Sequence, residues 1–83
     1  MIKLYGASWC PDCQRSKKLL ETLNVPFTYI NLEEVPEAAE IVEKINHGLQ
    51  SIPTIVFDDG SVLTEPSDPV LKTKLIEVGV VSQ

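Results

Sequence analysis

The chain has few of the residues that bind metals or build disulfide frameworks. Its 83 residues include two cysteines and one histidine, His47. A structural zinc site needs four ligands, so the sequence disfavours such a site within one chain. No segment is apolar for long enough to cross a bilayer, and no basic leader with a long apolar run stands at the N-terminus. We therefore expect a metal-free, soluble, cytoplasmic protein whose thiols are kept reduced and which has no membrane partner.

Positive charge is also scarce. Seven Lys and Arg residues stand against twelve Asp and Glu residues, which gives a net charge of -5. An acidic surface disfavours nucleic acids and anionic membranes as partners. With 83 residues, of which 43% are hydrophobic, the chain has room for one modest core. We expect a single domain over residues 1–83 that remains monomeric.

The two cysteines, Cys10 and Cys13, are three positions apart at the start of a helix-like segment. Residues at this spacing share a helix face and lie close enough for a disulfide. Pro11 suits the first helical position, which makes Cys10 the N-cap residue. The backbone amides of Asp12 and Cys13, with the positive end of the helix dipole, then favour the Cys10 thiolate, whereas the Asp12 carboxylate opposes it. We predict that Cys10 is an exposed nucleophile and that Cys13 is a more shielded resolving cysteine.

A static structural disulfide is the simpler interpretation of this pair. A loop this short gains little stability from a cross-link, so stability alone is a weak reason for the spacing. A non-enzymatic alternative also stays open, in which the pair holds a metal or an iron–sulfur cluster at a dimer interface.

The apolar pattern predicts four strands and three helices in the order βαβαββα. The strands cover residues 1–6, 26–32, 54–57 and 61–64, and the helices cover residues 11–24, about 36–47 and 68–78. Strands joined through a helix run parallel, whereas the last two strands form an antiparallel hairpin. We expect a four-stranded mixed sheet with helices on both faces, and an active site where the first strand meets the first helix.

Three segments together resemble the glutaredoxin branch of the thioredoxin superfamily, and the resemblance covers nearly the whole chain. They are Trp9–Cys13, Ser51-Ile52-Pro53-Thr54 and the run from Gly60 to Asp68. Residues 46–54 and 59–67 are most similar to mycoredoxins, the bacterial dithiol reductases that use mycothiol in place of glutathione. The resemblance implies an α/β thioredoxin/glutaredoxin-like fold. It also implies a thiol–disulfide oxidoreductase with a low-molecular-weight thiol as co-substrate and no bound cofactor.

The resemblance also implies a set of substrate-binding residues. Pro53 is expected to be a cis proline facing the cysteines, so that the backbone of Ile52 pairs with the bound thiol. Trp9 would be a platform beside the nucleophile. In glutathione-using relatives the positions of Ser67 and Asp68 hold the γ-glutamyl end. The complete implied set is Trp9, Pro11, Ile52, Pro53, Thr64, Ser67 and Asp68.

Several positions depart from the pattern of glutathione-using relatives. Thr64 and Glu65 replace a glycine pair, Gln50 replaces a basic residue, and the usual lysine before the first cysteine is missing. Asp12 stands between the cysteines, where an aromatic residue is more usual. The first three of these departures remove positive charge or add negative charge where glutathione would bind. They favour a less anionic thiol such as mycothiol, or a protein electron donor.

The expected partners are a low-molecular-weight thiol and disulfide-containing or S-thiolated proteins. The second-ranked function is a glutaredoxin-like electron donor to ribonucleotide reductase, itself reduced by a flavoprotein of the thioredoxin reductase type. The C-terminal aromatic and basic signature of that group is absent from this sequence. We interpret Tyr5 and Phe57 as core residues, His47 as a helix-end residue, and Glu33-Glu34 as solvated charges in a turn.

Overall fold

The computed structural model describes residues 1–82 and contains four strands and three helices. The strands are β1 (Ile2–Gly6), β2 (Phe27–Asn31), β3 (Thr54–Val56) and β4 (Val62–Thr64). The helices are α1 (Pro11–Thr22), α2 (Ala38–Ile45) and α3 (Asp68–Glu77). The predicted order βαβαββα is therefore confirmed. No helix within this part of the chain is both long and apolar enough to cross a membrane.

The strands form one mixed sheet in the order β2-β1-β3-β4. β1 runs parallel to β2, with Ile2 opposite Phe27 and Gly6 opposite Asn31. β1 is antiparallel to β3, and β3 is antiparallel to β4. Because β1 is an inner strand, hydrogen-bonded neighbours on both sides fix the position of its C-terminal end. The loop that carries Cys10 begins at that end.

The sheet has an apolar cluster on each face because the side chains of β1 alternate between the two faces. Leu4 belongs to the larger cluster, which α1 and α3 cover, and Tyr5 packs with Ala38 and Val42 of α2. Tyr5 and Phe57 are both buried, as predicted. The buried members of the larger cluster are Ile2, Leu4, Leu20, Val25, Ile55, Phe57, Leu71 and Leu75.

The helix ends differ from the prediction by a few residues. α1 ends at Thr22 rather than residue 24, since Asn24 adopts a left-handed φ of 56°, which asparagine tolerates better than most residues. α2 begins at Ala38 rather than Pro36. In its first turn the amides of Ala38 and Ala39 bond to carbonyls three residues back, which is a tighter pattern than an α-helix.

Candidate active site

The cysteine pair lies at the N-terminus of α1, directly after the loop that leaves β1. Cys10 is the N-cap residue with extended backbone angles, and Pro11 occupies the first helical position. The Sγ of Cys10 accepts a hydrogen bond from the N–H of Cys13 at 3.1 Å. This is the predicted N-cap arrangement, with one amide donor in place of the two expected. The bond brings the partial positive charge of an N–H group to the sulfur that is predicted to be the nucleophile.

Both cysteines are free thiols and both are buried. Cys10 is 6% exposed and Cys13 is 0% exposed. The prediction of an exposed Cys10 was therefore wrong, although Cys13 is the more shielded of the two as expected. Ala7 and Ile52 pack against the pair and cover the Cys10 side chain. Ile52 comes from a distant loop, so the sequence around the cysteines gives no sign of this cover.

Cys13 is held as a protonated thiol by its surroundings. Burial, followed by a side-chain hydrogen bond with Cys10, raises the pKa of the Cys13 thiol from 9.0 to about 12. At neutral pH Cys13 therefore carries its proton until a base removes it. This protonation state fits a resolving cysteine that acts only after Cys10 has reacted.

Gly6 makes room for Cys13, a role that the sequence analysis did not identify. A Cβ atom added at Gly6 would lie 3.0 Å from Sγ and 3.1 Å from Cβ of Cys13. Ordinary carbon contacts are about 3.5–4.0 Å, so a larger residue at Gly6 would displace Cys13. The available signal was a glycine at the end of the strand that directly precedes the cysteine loop.

The loop before β3 borders the cysteine pair on a second side. The Ile52–Pro53 peptide bond is cis, as the resemblance implied. The N–H of Glu65 donates to the carbonyl of Pro53 at 2.8 Å. The hydroxyl of Thr64 donates to Oδ1 of Asn46 at 2.7 Å. The end of β4 is thus bonded to this loop, and the Thr64 side chain is engaged within the protein.

A cluster formed by Arg15 connects α1 to the start of α3. Its Nη1 lies 2.7 Å from Oδ1 of Asp12, and its Nε lies 3.2 Å from Oδ1 of Asp68. Its Nη2 donates to the carbonyl of Pro66 at 3.0 Å. The hydrogen bond that Arg15 donates to Asp12 is the main reason why the pKa of Arg15 is raised. Asp68, predicted to bind substrate, is therefore already paired with a cation, and Ser67 caps α3 through Val70 N–H.

A groove beside Cys10 is lined by two of the predicted substrate-binding residues, Trp9 and Ile52. It has a volume of about 320 Å³ and is lined by Ala7, Trp9, Leu32, Glu33, Pro36, Ala39, Gln50 and Ile52. Trp9 is 70% exposed. Trp9 and Ile52 therefore line the groove next to Cys10, whereas Thr64, Ser67 and Asp68 are not among its lining residues.

Glu33 is more than a solvated charge in a turn, so that interpretation was incomplete. Its Oε1 accepts hydrogen bonds from the N–H of Ser8 at 3.2 Å and from the Ser8 hydroxyl at 2.8 Å. These bonds join the turn after β2 to the loop that carries Cys10. Gln50, another residue of the lining, donates to Oε2 of Glu43 at 2.8 Å.

Within residues 1–82, no three or more His, Cys, Asp or Glu side chains are grouped so that they could hold a metal ion. The chemistry that this arrangement offers comes from the two thiols, one capped by an amide and one buried.

The Glutaredoxin family model matches residues 2–62 of the chain. The chain belongs to the glutaredoxin family. It is 36% identical over 77 residues to a protein of Mycobacterium tuberculosis H37Rv that is provisionally named a glutaredoxin, covering 93% of this chain and 92% of the relative. It is 31% identical over 65 residues to Mycoredoxin 1 of Corynebacterium glutamicum, covering 78% of this chain and 80% of that protein.

Solved glutaredoxin structures share the fold. A glutaredoxin from Archaeoglobus fulgidus superposes with a TM-score of 0.74 at 28% identity, over 87% of this chain and 82% of that one. The glutaredoxin-like NrdH-redoxin of Escherichia coli, described as having a thioredoxin-like activity profile, gives a TM-score of 0.68 at 26% identity, over 86% and 91% of the two chains. Membership in the glutaredoxin family supports thiol–disulfide oxidoreductase chemistry with a thiol co-substrate and no prosthetic group.

Proposed function

We propose that this glutaredoxin reduces protein mixed disulfides through Cys10 and Cys13 and that it functions as a mycoredoxin. The observation that carries the proposal is the sulfur of Cys10 at the N-cap of α1, which accepts the amide of Cys13 at 3.1 Å. That position stabilises the anionic form of the nucleophile, and the second sulfur follows on the same helix.

In the first step the Cys10 thiolate attacks one sulfur of the substrate disulfide. A new disulfide forms between Cys10 and that sulfur, the original disulfide bond breaks, and the released thiolate takes a proton from solvent. With a protein–mycothiol mixed disulfide, attack on the mycothiol sulfur leaves the protein reduced and the thiol attached to Cys10.

In the second step the mixed disulfide on Cys10 is resolved. Either a second mycothiol attacks it, or Cys13 loses its proton and attacks the sulfur of Cys10, which closes the Cys10–Cys13 disulfide and releases the bound thiol. The high pKa of the Cys13 thiol delays this second route, since the thiol must first be deprotonated. In the first route two mycothiol molecules supply the two electrons and leave as mycothiol disulfide, with Cys10 again a thiol. In the second route the two electrons come from the cysteine pair, and two further thiol molecules reduce the Cys10–Cys13 disulfide while forming a disulfide between themselves.

The substrate-binding roles in this proposal follow the positions of the residues. Ile52 packs against the cysteines and offers its backbone to the bound thiol, next to the cis Pro53. Pro11 opens the helix, and the exposed Trp9 lines the groove where the substrate lies. Thr64, Ser67 and Asp68 lie outside the groove lining, and we assign them to the thiol's non-reacting part by the resemblance.

Mycothiol is the proposed co-substrate because the charges near the site disfavour glutathione. Gln50 bonds to Glu43, and Glu65 follows Thr64, so neither position offers a cation to the glutathione carboxylates. Asp68 is paired with Arg15 and is less available to an ammonium group. The 31% identity to Mycoredoxin 1 supports the same choice. We further propose that the protein acts as a single-domain cytoplasmic monomer.

The second candidate is an electron donor to ribonucleotide reductase that a flavoprotein reductase reduces. The structural similarity to the NrdH-redoxin of Escherichia coli, with a TM-score of 0.68, favours this candidate. The two candidates share the Cys10 chemistry and differ in the source of electrons.

The deciding experiment follows turnover of one protein mixed disulfide with a single electron source at a time. Mycothiol, glutathione or a thioredoxin reductase system is supplied to the wild-type protein. Turnover with mycothiol alone supports the mycoredoxin, efficient turnover with glutathione contradicts the argument from charge, and turnover only with the flavoprotein supports the second candidate. Cys10→Ser must abolish turnover in every case. Retained activity in Cys13→Ser would assign a monothiol route, and its loss a dithiol route.

A further inference from the structure

We propose that the groove beside Cys10 binds a lysine or arginine side chain of the protein substrate, next to the disulfide that is reduced. The inference rests on the proposed function and names the class of protein substrate. It depends on three observations, which concern the position of the groove, its single carboxylate and its exposed indole.

The groove is placed so that its occupant flanks the reacting disulfide. Two of its lining residues, Ala7 and Ile52, also pack in the cluster around Cys10 and Cys13. Ser8 and Trp9 connect this lining to Cys10 along the chain. A side chain in the groove therefore belongs to a residue close in sequence or in space to the cysteine under attack.

The groove has one charged lining residue, Glu33, and it is held in place. Both hydrogen bonds from Ser8 reach Oε1 of Glu33. Within residues 1–82, Oε2 accepts no hydrogen bond and Glu33 forms no ion pair, so its negative charge is not matched by a cation of this chain. A substrate cation supplies the missing partner, and a fixed carboxylate loses little conformational freedom when it binds one.

Trp9 and the apolar lining complete a site for a long cationic side chain. Indole is the aromatic ring that attracts cations most strongly. Trp9 is 70% exposed, so its indole is accessible to a substrate side chain. Leu32, Pro36 and Ala39 offer apolar surface to the methylene groups of lysine or arginine. The groove therefore matches such a side chain at its charged end and along its stem.

Anionic residues of a substrate are disfavoured at the same place. No lysine or arginine lines the groove among the described residues, and Gln50 of the lining donates its side-chain amide to Glu43. The chain as a whole carries a net charge of -5. Electrostatic complementarity of this kind selects partners more than it raises affinity in general.

The test uses two synthetic peptides that differ at one residue. Each carries a cysteine in a mixed disulfide with 2-mercaptoethanol, and the residue two positions away is either arginine or its uncharged analogue citrulline. For the wild type we expect kcat/KM to be about five-fold higher with the arginine peptide, which is the size expected for one exposed cation–π contact and one exposed ion pair. The preference should decrease in 0.5 M NaCl because salt screens exposed charges.

Matched variants assign the preference to the groove. Glu33→Gln should reduce the ratio to about two, because the contact between the cation and Trp9 remains, and Glu33→Lys should make the citrulline peptide the better substrate. Glu34→Gln removes the same charge one residue away, outside the groove lining, and should keep the wild-type ratio. Urea unfolding midpoints of all three variants check that the fold is retained.

The outcomes separate the inference from the proposed function. Good turnover of both peptides at equal kcat/KM by the wild type would overturn the inference and leave the oxidoreductase intact. Equal loss of preference in Glu33→Gln and Glu34→Gln would also overturn it, since the effect would then come from general surface charge. Loss of turnover with both peptides and with bis(2-hydroxyethyl) disulfide would refute the proposed function, and the inference with it.

Discussion

Replacement of Gly6 by alanine tests the packing that positions Cys13. The added methyl group would lie 3.0 Å from Sγ and 3.1 Å from Cβ of Cys13, and 3.3 Å from Cδ2 of Leu4. Ordinary contacts between carbon atoms are about 3.5–4.0 Å, so Cys13 or the strand must move by a few tenths of an ångström. Cys13 is 0% exposed and Leu4 is 0% exposed, so neither has free space beside it.

The expected cost is a balance of two effects. Overpacking of a closed core costs about 1–3 kcal/mol. Alanine also restricts the unfolded chain, which stabilises the protein by about 0.4–1 kcal/mol where the backbone angles allow it. The net destabilisation of Gly6→Ala is then about 1–2 kcal/mol, and the thermal midpoint of a domain this small falls by about 5–15 °C.

Urea unfolding of the reduced protein measures the cost, and the rate of Cys10–Cys13 disulfide formation measures displacement of the thiol. We expect slower disulfide formation in Gly6→Ala. In the Gly6→Ala/Cys13→Ala double variant the nearest atom, Sγ, is gone while the contact with Cβ remains, so the cost of Gly6→Ala should fall by about half. A cost below about 0.5 kcal/mol with an unchanged disulfide rate would refute the packing argument.

Two further predictions concern pH and the core. The pKa of Cys13 is raised in the folded state, to about 12 from 9.0, so its contribution to stability is present below pH 9 and is lost as the pH rises towards 12. Urea unfolding across this range should show a free energy of unfolding that declines less in Cys13→Ala than in the wild type. An identical decline would contradict the assignment. Leu20→Ala removes most of a side chain that is 0% exposed and should lower the free energy of unfolding by about 2–5 kcal/mol. Leu49 is 64% exposed, so Leu49→Ala should lower it by less than about 0.5 kcal/mol. Equal unfolding midpoints of the two variants would contradict the described core.

The sequence predicted the order of the elements because local signals mark most of them. Pro11 and Ser67 mark the starts of two helices, and Asn24 marks the end of the first. The start of α2 was placed too early because proline opens both α-helices and tight turns. The amides of Ala38 and Ala39 bond to carbonyls three residues back, the spacing of a tight turn rather than of an α-helix. The resemblance, rather than any local signal, predicted the cis bond before Pro53.

The site was predicted less completely because its contacts join residues that are far apart in the sequence. Arg15 and Asp68 are separated by 53 positions, and Ser8 and Glu33 by 25. Exposure of Cys10 was overestimated for the same reason, since Ile52 reaches it from another loop. A single sequence shows which residues carry charge or sulfur, but the pairing of these groups depends on the fold. The roles in substrate binding stay predictions for the whole set of Trp9, Pro11, Ile52, Pro53, Thr64, Ser67 and Asp68.

The Arg15 cluster has a consequence for any attempt to transplant this active site. The segment Trp9–Cys13 carries Asp12 between the two sulfurs, and the cation that pairs with Asp12 lies beyond that segment, on Arg15. Arg15 in turn is oriented by Asp68 and by the carbonyl of Pro66 near the other end of the chain. A five-residue graft onto another thioredoxin-like scaffold would carry over the acidic residue without its counterion. A transplant that preserves the electrostatics of the donor needs at least Arg15 and an acceptor at the start of the last helix.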